Sequence, residues 1–147
     1  MSEGSKYFDS RESFIETMDL LLGALKSDPV VGADVAKMKI VIRFEYTDPE
    51  TSVTINGRDM PATEGDYLSY EWDTEEPEPD VVMQNTADFA LRFWQGKENA
   101  MLAMASGSLK AKGNIAKAVS LIPAIKPAFK MFPKLLRENG KKHLALR

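Results

Sequence analysis

The sequence predicts an α/β (α+β) domain in which an about five-stranded, mostly antiparallel sheet is covered by helices. Three observations predict it. Met38 to Tyr46 alternates, with Met38, Ile40, Ile42, Phe44 and Tyr46 on one side and Lys39, Val41, Arg43 and Glu45 on the other, which is the period of a half-buried strand. Phe14, Met18, Leu21, Leu22 and Leu25 recur at helical spacing instead, a stripe suited to packing on a sheet. Beyond Asn114 the helical spacing returns through Ile115, Val119, Ile122, Ile125, Phe129, Phe132 and Leu136.

Each element follows in order. Asp9 with Glu12 has a capping-box pattern, so a helix is expected over Ser10 to Lys26, ended by Asp28-Pro29. After the Met38 to Tyr46 strand, Asp48-Pro49 turns the chain, and Ser52 to Asn56 returns with Val53 and Ile55 inward before a tight turn at Asn56-Gly57. Tyr67 to Trp72 and Val81 to Gln84 read as strands on either side of an acidic loop, Asp73 to Asp80. Thr86 caps a short helix, Ala87 to Gln95, whose Phe89, Ala90, Phe93 and Trp94 share a face, and Gly96 stops it. Asn99 caps a second, Ala100 to Ala105, which brings Met101, Leu102 and Met104; at Gly107 the period changes into a strand, Ser108 to Lys112.

In the amphipathic segments after Asn114, Lys126, Lys130 and Lys134 line a face apart from the apolar stripe. Pro123, Pro127 and Pro133 each remove an amide donor, which favours kinked or broken helices able to shift against the sheet, as a lid would. A helix over a ligand cavity and a helix over solid core carry the same stripe. Periodicity leaves both open.

The segment Thr86 to Asn114 resembles the sterol-carrier-protein-2-like (SCP2) lipid-binding domains. The matching residues are Asp88, Phe89, Gly96, Lys97, Asn99, Ala100, Met104, Gly107, Leu109, Lys110, Gly113 and Asn114. Ser108 stands where a lysine is common, and the stretch before Pro77 is longer and more acidic than usual. The resemblance implies an apolar tunnel that binds, without covalent attachment, a fatty acid, acyl-CoA, sterol, isoprenoid quinone or phospholipid. With the stripes above, it makes Phe89, Phe93, Trp94, Met101, Met104, Ile115, Val119, Ile122, Phe129 and Phe132 the expected wall. A second role stays open, an accessory protein presenting lipid intermediates to partner enzymes.

Composition fits one domain over residues 1–147, with 1–8 expected to be flexible and 139–147 a basic tail. The start lacks the basic and apolar blocks of a secretion signal, and no apolar run approaches the ~20 residues that span a bilayer, so a cytoplasmic protein is expected. Charge is segregated. Residues 1–109 hold 9 Lys+Arg against 21 Asp+Glu, whereas residues 110–147 hold 10 against 1. Either the two halves neutralise each other or the basic end meets an anionic membrane surface.

Catalytic signatures are missing. Cysteine is absent and His143 is the single histidine, in the basic tail, so neither a Cys-His pair nor a Ser-His-Asp set is supported. Gly107 to Gly113 lacks the Lys and Ser/Thr of a phosphate loop. The acidic residues Glu71 to Asp80 lack EF-hand spacing and read as a solvated loop, so neither a metal nor another cofactor is expected. Nucleic acid is disfavoured as a partner because the aromatics among the basic residues, Phe129 and Phe132, fall on the apolar stripe.

Overall fold

A computed structural model describes residues 5–146. The helices and strands run α1 (Arg11–Leu25), α2 (Val31–Lys37), β1 (Val41–Thr47), β2 (Thr51–Asn56), β3 (Ser69–Trp72), β4 (Val81–Thr86), α3 (Ala87–Phe93), α4 (Ala100–Ser106), β5 (Lys110–Gly113), α5 (Ile115–Ile125) and α6 (Ala128–Glu138), before a 3-10 turn at Lys142–Leu144. The five strands form one sheet in the order β3-β2-β1-β4-β5. Only the central β1–β4 pair is parallel; the other three are antiparallel.

Register explains why one face is apolar. Ile42 faces Ile55 and Val81, Phe44 faces Val53 and Met83, and Tyr46 faces Thr51 and Asn85. Side chains alternate along a strand, so these residues lie together on the inner face, while Arg43, Glu45, Thr54 and Gln84 point the other way. The outer face holds itself together with polar bonds. Arg43 Nε donates to Thr54 Oγ1 (2.9 Å) and Gln84 Nε2 to Glu45 Oε1 (2.7 Å). The helices cover the inner face and share one core with it, in which Phe14, Leu21, Ile40, Leu91, Phe132 and Leu136 are wholly buried.

Several boundaries differ from the expected ones, each for a local reason. The cap of α1 is Ser10 rather than Asp9: its hydroxyl accepts from Ser13 N (3.0 Å), and Ser13 Oγ accepts from Ser10 N (3.4 Å). Helix α2 was not anticipated, because Asp28-Pro29 reads as a stop; the Asp28 carboxylate instead accepts from Val30 N and Val31 N and starts a new turn. Lys39 sits at φ 50°, which delays β1 until Val41. Proline breaks the C-terminal helices only once, at Lys126-Pro127, since Pro123 and Pro133 lie inside α5 and α6.

Both ends of the described chain are tied down. Asp88 accepts from the Ser5 hydroxyl and from Lys6 N (2.7 Å), and Phe8 is buried edge-on against Phe14. Residues 5–8 therefore pack on the domain, where a flexible segment was expected, and residues 1–4 lie outside the described residues. At the other end the buried Gln95 side chain donates to Leu144 O (2.9 Å) and accepts from Leu146 N (2.7 Å), which straps the basic tail across α3.

Candidate functional site

The inner face of the sheet and the helices do not close completely. Between them lies an apolar cavity of about 70 Å³. Its floor is Ile42, Phe44, Ile55 and Met83 from the sheet. Leu22 and Leu25 of α1 with Val31 and Val35 of α2 form one side, while Phe89, Ala90 and Phe93 of α3 with Trp94 form another. Ala100 and Met104 of α4, then Val119, Ile122 and Ile125 of α5, complete the wall.

Chain-local features aim these residues inward. Thr86 Oγ1 accepts from Phe89 N (3.0 Å) and Asn99 Oδ1 from Leu102 N (3.1 Å), fixing where α3 and α4 start and so which of their faces turn in. Asn114 does the same for α5 through Lys117 N (3.1 Å). The aromatic wall is braced from behind: Phe93 meets Trp94 and Phe129 edge-on at 5.3 and 5.6 Å between ring centres.

Of the ten expected wall residues, Phe89, Phe93, Trp94, Met104, Val119 and Ile122 line the cavity. Four do not. Ala100, Ala103 and Met104 take the inner face of α4, so Met101 points to solvent at 55% exposure. Ile115 begins α5 and is 44% exposed. Phe132 is wholly buried in the core that α6 shares with α1, and Phe129 stands behind Phe93. The stripe of α6 thus covers solid core, and that of α5 covers the cavity.

Two polar residues at the rim were not anticipated. Tyr46 and Asn85, cross-strand partners on β1 and β4, line both the apolar cavity and an open polar depression of about 950 Å³ beside the strand ends. Asn85 Oδ1 is buried and has no hydrogen-bond partner among the described residues. Burial pushes the Tyr46 phenol far above its usual pKa, so it stays neutral at any physiological pH. Continuing the Val81, Met83 alternation by two residues would have turned Asn85 inward, but the strand was expected to end at Gln84. On the far side of the core, burial and then the Asp19 carboxylate push Tyr70 up to about 12.

This is an α+β domain in which the described residues build an apolar enclosure with a polar rim. The SCP-2 sterol transfer family matches residues 20–126, and the chain belongs to that family. Comparison with curated proteins finds no match. Among solved structures, the sterol carrier protein domain 2 of Helicoverpa armigera is similar at 19% identity, over 88% of this chain and 96% of that one, with a TM-score of 0.58. Sterol carrier protein 2 from Yarrowia lipolytica in its apo form is 21% identical over 87% and 98%, at 0.55. A ubiquinone synthesis protein, UbiJ-SCP2, is 15% identical over 82% and 94%, at 0.56. The chain also spans 14% of the length of a Pseudomonas sec-alkylsulfatase, Pisa1. At these identities the structures show the shared fold. Lipid binding or transfer is what membership of the family implies.

Proposed function

We propose that the protein is a cytoplasmic, non-catalytic carrier that takes one lipid chain into the cavity beneath α3, α4 and α5. The supporting observation is the composition of the wall. Every wall residue except Asn85 and the phenol of Tyr46 is apolar, and the space sits between packed elements where a solid core would be more stable. Burying a sixteen-carbon chain at ~0.8 kcal/mol per methylene is worth ~12 kcal/mol gross, whereas micromolar binding needs about 8 kcal/mol. The difference leaves room to open the domain.

Opening is required. Sites that enclose a ligand typically hold about 300–1,000 Å³, several times the 70 Å³ present. The element best placed to yield is α4, because only Ala100 and Ala103 are buried on it and Met101 and Leu102 are exposed. It packs in a small satellite cluster with Phe89 and Leu109, apart from the main core. The same exposed side chains, with the basic C-terminal segment, are proposed to meet an anionic membrane during exchange. Phe132, on the stripe of that segment, is too deeply buried to join them.

The test is organic extraction of natively purified protein, with mass spectrometry of the extract, for the wild type and for Val119→Asp. A stoichiometric lipid in the wild type and its loss from a folded Val119→Asp are expected. Lipid-free wild-type protein that also refuses fluorescent acyl probes would overturn the carrier reading. The accessory alternative, in which lipid is presented to partner enzymes, predicts stable co-purification with those enzymes. It draws support from the UbiJ-SCP2 likeness in fold.

A further inference from the structure

The rim of the cavity carries chemistry that apolar burial does not need. Asn85 Oδ1 is a buried acceptor without a donor among the described residues, a state that costs stability in a folded protein. Asn85 lines both the apolar cavity and the polar depression. Its cross-strand partner Tyr46 lines both as well. A ligand whose chain occupies the cavity and whose polar end reaches the depression lies against both residues.

The depression itself has a sign. Glu45, Glu50 and Asp73 line it against a single lining cation among the described residues, Lys110. Asp73 is paired with Arg11 and also accepts from Thr51 Oγ1 (2.9 Å), and Glu45 accepts from Gln84. One carboxylate remains in excess. An ionised fatty acid or the phosphates of an acyl-CoA would meet carboxylates rather than the arginine fork such groups favour.

We infer that the site selects lipid chains with a neutral hydroxyl at the polar end, such as a long-chain alcohol, over ionised fatty acids and acyl-CoA. A hydroxyl supplies one donor and two acceptor positions. It gives Asn85 Oδ1 the donor it lacks among the described residues and keeps acceptor positions of its own. The inference rests on the carrier reading above and narrows its ligand class.

The experiment offers the full-length protein oleyl alcohol, oleate or methyl oleate separately and measures by mass spectrometry how much stays bound after gel filtration. The three share a chain and differ in the polar end: donor and acceptor, anion, acceptor only. The alcohol is expected to bind about tenfold more tightly than either of the others, the change one satisfied hydrogen bond makes. Asn85→Leu should bring the alcohol-to-ester ratio to about one and raise the melting temperature of the lipid-free protein, since an orphaned acceptor is removed. Asn85→Asp, which keeps an acceptor, should retain the preference for the alcohol. Oleate binding tightest, or an alcohol preference that survives in Asn85→Leu, would overturn the head-group inference while leaving the carrier reading standing. Failure of all three lipids to bind the wild type would overturn both.

Discussion

Gly113 has φ +97°, and a Cβ placed on it would lie 2.4 Å from the carbonyl oxygen of Asp80. That carbonyl also accepts from Asn114 N at 2.8 Å, so it cannot retreat without losing a bond between β4, β5 and the start of α5. The next residue, Asn114, is the N-cap of α5. The Gly-Asn pair that carries much of the family resemblance is thus a joint that aims α5 over the cavity. Gly113→Ala should destabilise the fold by about 2 kcal/mol or more, given the left-handed backbone and the contact together. A melting temperature within a degree of wild type would show that the joint relaxes. Legibility at this scale was uneven. Thr86 and Asn99 announced themselves through side chains that cap, whereas Asp28 did not, because Pro29 after it is also the usual sign of a helix ending.

Helices α4 and α6 look alike as sequence, each with an apolar face, and differ in what that face meets. Helix α6 buries Ala128, Phe132 and Leu136 fully against α1 and is tied by the Gln95 strap that holds Leu144. Helix α4 presents two buried alanines and leaves Met101 and Leu102 outside. Buried area decides how cheaply an element opens, at about 25 cal/mol per Å² of apolar surface. Amide hydrogen exchange is therefore expected to be markedly faster in α4 than in α6, and lipid loading should slow it in α4. Equal protection of the two would move the gate elsewhere. The prolines suggested that the mobile part lay at the C-terminus, but Pro123 and Pro133 are accommodated within continuous helices whose side chains are packed.

Across the whole molecule, charge runs from an acidic first part to a basic last quarter. Some of it is neutralised internally, as where Lys141 of the tail meets Glu16 of α1 at 3.3 Å. Lys126, Lys130 and Lys134 remain exposed, as are Lys110 and Lys112. Liposome association is expected to rise with anionic lipid content and to fall on going from low salt to ~0.15 M, where the Debye length is about 8 Å. Binding indifferent to both would leave internal neutralisation as the whole role of these charges. Among the described residues no helix is long and apolar enough to cross a membrane.

The sequence by itself determined the fold class, the five strands and most helix starts, because alternation, helical spacing and capping residues are local properties of the chain. The family motif was legible for the same reason, being made of caps, a left-handed glycine and short apolar faces. Which apolar face meets a cavity and which meets solid core was decided only by the tertiary structure. Val119 and Phe132 sit on one continuous stripe, yet one lines the cavity and the other is sealed against α1. Nor could spacing show that Asn85 would stand unpartnered at the cavity rim, opposite Tyr46. Its missing bond is a property of everything that surrounds it, and it comes into being only when β1 and β4, thirty-odd residues apart in the chain, pair side by side.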